Sequence, residues 1–402
     1  MSLLNPLLVF VVSFSLFIFL LYRRVGLGVS LTSTAFVMSF LSLGFYETGT
    51  VLFKTCLDTL TLTLVFATLL IMLLSQLYKE TGLINVLSRN LGALVRSSKV
   101  IVSLLPAVIG LMPVAGGALM SAPMVEVEAE KLGLDKAKKT YVNLWFRHTI
   151  LPIYPISQLL ILTAILTETT IFSLIYRQFF VVITMIIIGY FIGLRKAQTV
   201  KHESEKNSSL NADLKGFLFS FSPIIVTVLL TAMLNVNIAM ATLVGILVLS
   251  IIMKAKVNVF GKILRDWSVW EVTLAAFGAL LLRNVTLSSG ISEILSNAVA
   301  NANLGEVVLL LSVPAALGFL LGSPSGGIAL SVPILAETVI FTPKTASLLY
   351  ISAYLGYLSA PTHLCLALTA QYFKCSISKT YKYLIPSVMV SVISALIIYF
   401  LF

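Results

Sequence analysis

A polar, glycine-rich phrase occurs twice in this chain, each time inside very apolar surroundings. Residues 112–124 read MPVAGGALMSAPM, and residues 322–334 read GSPSGGIALSVPI. Gly116-Gly117 aligns with Gly326-Gly327, Ser121 with Ser331 and Pro123 with Pro333, all 210 residues apart. Downstream, Pro155 with Leu160, Leu162, Thr163 and Ala164 recurs 206 residues later as Pro361 with Leu366, Leu368, Thr369 and Ala370. Upstream, Gly82-Leu83 recurs 208 residues later as Gly290-Ile291. Three blocks in one order at nearly one offset indicate a duplicated unit of about half the 402 residues. The division reads 1–194 for the first repeat, 195–215 for a polar cytoplasmic linker and 216–402 for the second repeat.

Composition sets the solvent. Hydrophobic residues are 58% of the chain, charged residues only 11%, and mean hydropathy is +1.03. Those values exclude an ordinary soluble domain and fit an all-α polytopic membrane protein. The net charge of +11 does not point to nucleic acid, because the basic residues sit in short loops between apolar runs. Cys56, Cys365 and Cys375 show no metal-ligand spacing and no disulfide framework.

Apolar runs predict ten spans, near 3–22, 26–45, 56–77, 140–166, 171–194, 216–235, 237–253, 270–287, 345–370 and 384–402. The stretches 100–130 and 306–340 carry the Gly-Gly phrases at their middles. Their arms are too short to cross, so both read as re-entrant hairpins. With Arg23 and Arg24 inside, 22 of the 27 Lys and Arg lie in cytoplasmic loops and two lie outside. That bias places both termini outside the cell membrane. Five crossings per half then insert the second half upside down, the layout of alternating-access carriers. Residues 79–99 read as an amphipathic helix along the inner surface, and spans 3–45 and 216–253 as a scaffold offering a homodimer contact.

The hairpin tips are the first candidate site: Gly116, Gly117, Ser121, Ser323, Ser325, Gly326, Gly327 and Ser331. Glycine admits close approach, and the amides opening each second arm favour an anion. The same small residues would equally serve tight helix packing. Arg147 is the residue for a substrate carboxylate, since its fork matches carboxylate geometry; the competing role is snorkelling to the inner surface.

Interrupted spans are the second candidate. Pro152 and Pro155 lack N–H groups and unwind the helix around them. Backbone carbonyls exposed there, with Tyr154, Ser157 and Gln158, would hold Na⁺. Pro361, Thr362 and His363 mark the matching break, and His148 or His363 would couple transport to H⁺. A plain proline kink and structural histidines are the alternatives.

No Asp or Glu falls in the middle of a predicted span, so the site suits an anion better than a cation. There is no HExxH, no paired intramembrane aspartate, no P-loop and no cofactor motif, which argues against an enzyme or an ATP-driven pump.

At these residues the chain resembles the ion-transporter superfamily, which includes gluconate, citrate, dicarboxylate and arsenite carriers. More narrowly, it resembles a largely archaeal integral-membrane family within that superfamily. The resemblance implies inverted repeats, two re-entrant hairpins, an unwound helix beside each, and movement of small anions with Na⁺ or H⁺. The paired Ser-Asn-Thr phrases of the dicarboxylate branch are missing; PVAGG and SPSGG occupy the comparable places. The expected function is a secondary carrier of a small organic anion, a carboxylate or sugar acid. The alternatives are an exporter or antiporter of an inorganic or toxic anion, an anion channel, or a membrane-embedded partner protein.

Overall fold

The computed structural model describes residues 5–95, 97–111, 117–198, 210–234, 236–291, 293–294 and 304–402. All the regular elements among them are helices. The first repeat contains α1 (Pro6–Tyr22), α2 (Leu27–Leu57), α3 (Thr59–Glu80), α4 (Leu83–Leu94), α5 (Ser98–Gly110), α6 (Gly117–Lys131), α7 (Lys136–Thr149), α8 (Gln158–Leu166) and α9 (Ile171–Gly189). The second contains α10 (Leu210–Met233), α11 (Ile238–Met253), α12 (Val257–Leu264), α13 (Trp267–Ser288), α14 (Glu306–Leu321), α15 (Pro324–Leu335), α16 (Pro343–Ser359), α17 (Leu364–Tyr372) and α18 (Ile377–Leu401).

The elements recur in order. Helices α3 and α13 are both 22 residues long and begin 208 residues apart, and α8 and α17 are both nine residues long and begin 206 apart. Gly82 and Gly290, 208 apart, are both left-handed, at φ 73° and 70°. α2 matches α11 together with α12, because Gly44 at φ 80° bends it in two. Beyond that bend the chain stays helical to Leu57, where the sequence pattern had ended the span at residue 45. Local caps explain the other starts. Asp58 accepts from Thr61 N at 2.9 Å, and Thr342 forms a capping box with Thr345 behind Pro343.

Among the described residues six helices are long and apolar enough to cross a bilayer: Leu27–Leu57, Thr59–Glu80, Ile171–Leu194, Asp213–Met233, Trp267–Ser288 and Ile377–Leu401. The pair Lys136–Ile153 and Gln158–Leu166, bent by 43°, makes up to seven. The expected ten is larger because Pro6–Tyr22 and Ile238–Met253 have only 17 and 16 residues, and 343–372 is interrupted at 360–363. The two helical hairpins are α5 with α6 and α14 with α15, whose arms of 12 to 16 residues reach only about 18–24 Å.

Two expectations change. The apolar face of α4 is not laid on a membrane surface; Leu87 and Leu91 pack under Phe217 and Phe221 of α10 and against Leu105 of α5. Burying that face inside the protein removes the same apolar area from water. Of the linker 195–215, residues 210–215 are already the first turns of α10; residues 199–209 lie outside the described residues. Among the expected scaffold spans, α1 packs on α2 and α2 on α13, while α11 packs on α10 and on α3.

Each hairpin seats on the interrupted helix that follows it through a glycine on its first arm; in the second half Gly356 of α16 adds a further close contact, on the Ala315 carbonyl of α14. A Cβ on Gly110 would overlap the carbonyl oxygen of Arg147 in α7, and a Cβ on Gly318 would overlap that of Ala353 in α16. The glycines are 208 apart and their neighbours 206 apart, so the same contact is made in both halves. Only a residue without a side chain lets backbones approach this closely.

Candidate functional site

Helix α7 starts on the Asp135 carboxylate, which accepts from Lys138 N at 2.9 Å. It ends at Ile150 because Pro152 and Pro155 cannot continue it. Residues Leu151–Ile153 tighten into a 3₁₀ turn, and α8 resumes at Gln158. At this break a cavity of about 230 Å³ opens between the halves. Arg147, His148, Tyr154, Ser157 and Gln158 line it from the first half, with Gly110 and Leu111 of hairpin one. Pro324 at the tip of hairpin two, Tyr354 and Tyr357 of α16, and Cys365 of α17 close it from the second.

Arg147 dominates the electrostatics. It is 5% exposed, and its Nη1 is fully buried without a hydrogen-bond partner. The other two arginines within spans have partners at one nitrogen: Arg283 Nη2 pairs with Glu168 at 2.9 Å, and Arg177 Nη2 donates to the Phe402 carbonyl at 2.8 Å, although Arg177 Nη1 is also buried without a hydrogen bond. Arg147 has no ion pair among the described residues, and no carboxylate lines the cavity. Its side chain is buried inside the protein and lines the cavity.

Around it the halves are stitched together. Tyr354 donates to the His148 carbonyl at 2.6 Å, and these two residues stand at the repeat offset of 206. His148 Nδ1 lies 2.8 Å from the Leu144 carbonyl. His363 is fully buried, its ring 4.8 Å from that of His148 and 3.9 Å from that of Tyr357. Asn143 donates to the Ala118 carbonyl of hairpin one at 3.1 Å and to Thr369 Oγ1 at 3.2 Å, fastening α6 and α17 to α7.

The hairpin residues lie elsewhere. Gly116 is outside the described residues, and Gly117 begins α6. Ser121 is buried and donates to the Ala118 carbonyl at 3.2 Å; Ser331 donates to the Gly327 carbonyl at 2.6 Å. Ser323 caps α15, accepting from Gly326 N on its hydroxyl at 3.3 Å and from Gly327 N on its carbonyl at 3.1 Å. Two amides expected to seat an anion are therefore already engaged. A Cβ on Gly327 would stand 2.9 Å from Gly318 N, so this glycine serves packing inside its hairpin. Ser325 faces a separate gap of about 30 Å³ shared with Gln158.

The coupling-ion groups separate similarly. Pro152 is buried in the 3₁₀ turn, and Pro155 is half-buried. The carbonyls of Ile150, Leu151 and Tyr154 accept local amides at 2.8–3.2 Å, leaving Na⁺ the remaining ones. Pro361 and Thr362 are exposed and outside the cavity lining, while His363 of the same break lies against His148.

Tyr354, Tyr357, Cys365, Asn143 and Gly110 build the site without having stood out in the sequence. The offset of 206 that pairs Tyr354 with His148, and the 208 that pairs Gly110 with Gly318, was the available signal.

Long apolar helices, a helix broken at its middle, and a buried unpaired guanidinium on a cavity between two repeats define a polytopic α-helical membrane protein. The chain belongs to the DUF401 family, described as a protein of unknown function, whose profile matches residues 4–402. No curated protein matches the chain.

Proposed function

We propose that the protein is a secondary transporter of a small organic anion, not an enzyme, with the cavity at the two breaks as its site. The observation that carries this is Arg147, a guanidinium nine-tenths buried, without a counter-carboxylate, facing a cavity. An unpaired buried charge is costly, and an anionic ligand relieves that cost. The resemblance to the ion-transporter superfamily supports the same reading. The lining is mostly apolar and aromatic, with one cationic group. It suits a monocarboxylate with a compact apolar body better than a dicarboxylate. Movement is coupled to Na⁺ or H⁺, and the hairpins with their broken helices shift against the remaining helices.

The test is thermal unfolding of purified protein against carboxylates, sugar acids and oxyanions, with and without Na⁺. A ligand at 100 times its Kd stabilises by about 2.7 kcal/mol. At least one monocarboxylate should stabilise the wild type and not Arg147→Gln. Stabilisation by cations or neutral solutes alone would sink the proposal.

Orientation has its own test. From the loop charges, both termini are external in the cell membrane. Single cysteines at Ser208 and Glu47, in a background lacking Cys56, Cys365 and Cys375, should react from opposite sides. Labelling of both from one side would overturn the inverted arrangement.

A further inference from the structure

Two histidines and one cysteine stand together beside the cavity and make no contact that the anion itself requires; their geometry has its own chemistry. We propose that His148, His363 and Cys365 form a binding site for a zinc-class metal ion, tethering the two halves at their breaks. The ligand atoms of the three residues all lie within 4.8 Å of one another. His148 comes from the end of α7, while His363 and Cys365 flank the start of α17, 215 residues further along the chain.

Each side chain is set up for this role. A carbonyl can only accept, so the contact of His148 Nδ1 with Leu144 O puts the ring proton on Nδ1 and leaves the Nε2 lone pair free. That is the outer-shell arrangement that orients metal-ligating histidines. Among the described residues neither ring nitrogen of His363 has a hydrogen-bond partner, although the residue is fully buried. The Leu358 backbone approaches its ring without reaching hydrogen-bond geometry. An imidazole buried with both nitrogens unsatisfied is costly, and a metal bond satisfies one of them. Tyr357, its ring centroid 3.9 Å away, fixes the plane of the His363 ring.

The donor set selects the ion. Two imidazoles and a thiolate suit zinc, whereas Na⁺, Mg²⁺ and Ca²⁺ want oxygen. Zinc bonds of about 2.0–2.3 Å place tetrahedral ligand atoms roughly 3.4–3.6 Å apart. The widest separation here must therefore close by about 1.2 Å when the ion binds. His148 and Cys365 line the cavity, so the fourth position opens onto it. Of the charged groups around the cluster, Arg147 opposes a dication and the Cys365 thiolate offsets one charge; Tyr354 and Tyr357 contribute neutral rings. The spacing His363-x-Cys365 alone is too ordinary to mark a metal site, which is why the sequence reading of the cysteines found none.

The experiment uses the full chain carrying Cys56→Ser and Cys375→Ser, so that Cys365 is the one thiol, titrated anaerobically with Co²⁺ and no other solute. One equivalent should bind with a thiolate-to-cobalt charge-transfer band, and Zn²⁺ should displace it. The band should vanish in Cys365→Ser, and affinity should fall at least about 100-fold in His363→Gln and His148→Gln, since even outer-shell losses cost about 10–100-fold. Absence of stoichiometric binding to the single-thiol protein overturns the proposal whether or not the variants fold. A band that persists in Cys365→Ser also overturns it. Because no anion is present, failure here leaves the transport reading standing, and failure of the anion screen leaves this site standing.

Discussion

Replacing Arg147 with glutamine is expected to weaken anion binding by about 10- to 150-fold. A hydrogen bond to a charged group contributes about 1.5–3 kcal/mol, and each 1.4 kcal/mol is a factor of ten. The structure favours the high end, because Nη1 has no hydrogen-bond partner among the described residues and the side chain is screened from water. Removing a charge that already sits in a local ion pair would cost far less; Arg283, paired with a largely exposed Glu168, is the internal control. Arg147→Lys should restore part of the affinity and not all of it, since a point charge cannot reproduce the two parallel bonds of the fork. Isothermal titration with the stabilising carboxylate measures both. Unchanged affinity in Arg147→Gln would remove this residue from the site.

How much of this was legible in the sequence follows from which forces act locally. The break at Pro152 and Pro155 was readable because a missing N–H ends a helix wherever it occurs. The duplication was readable because offsets survive divergence of individual residues. Glycine was ambiguous for a physical reason: Gly326 and Gly327 in a polar phrase look the same whether a ligand or another helix approaches. In the structure Gly327 meets Gly318, and Ser323 caps the amides meant for an anion. The amphipathic pattern of α4 was equally silent about what covers its apolar face, since Phe217 of α10 and a lipid tail satisfy it alike. Cys365 and Asn143 were invisible because their partners, His148 and Thr369, lie far along the chain. Such pairings are set by packing and leave no periodic trace.

The paired glycine contacts yield the other large effect. Gly110→Val should displace hairpin one from α7, and Gly318→Val should displace hairpin two from α16. In each case the first added carbon would overlap a backbone carbonyl oxygen, that of Arg147 or that of Ala353. A backbone atom inside a helix cannot rotate away, so the helices must part. Overpacking of a tight interior costs about 1–3 kcal/mol, occasionally more. The branched side chain adds bulk that alanine would not, so valine should exceed alanine at both places. Gly92 in α4 is the control, with open space where its Cβ would lie; Gly92→Ala should be neutral or slightly stabilising. Thermal unfolding in detergent reads all of these on one scale. Because Gly110 rests on Arg147 itself, Gly110→Ala should also weaken anion binding, whereas Gly318→Ala should act mainly on stability. If Gly110→Val and Gly318→Val melt with the wild type, the hairpins are not seated on the broken helices as described. A large loss in one half and none in the other would show that the duplicated contact holds only one hairpin in place.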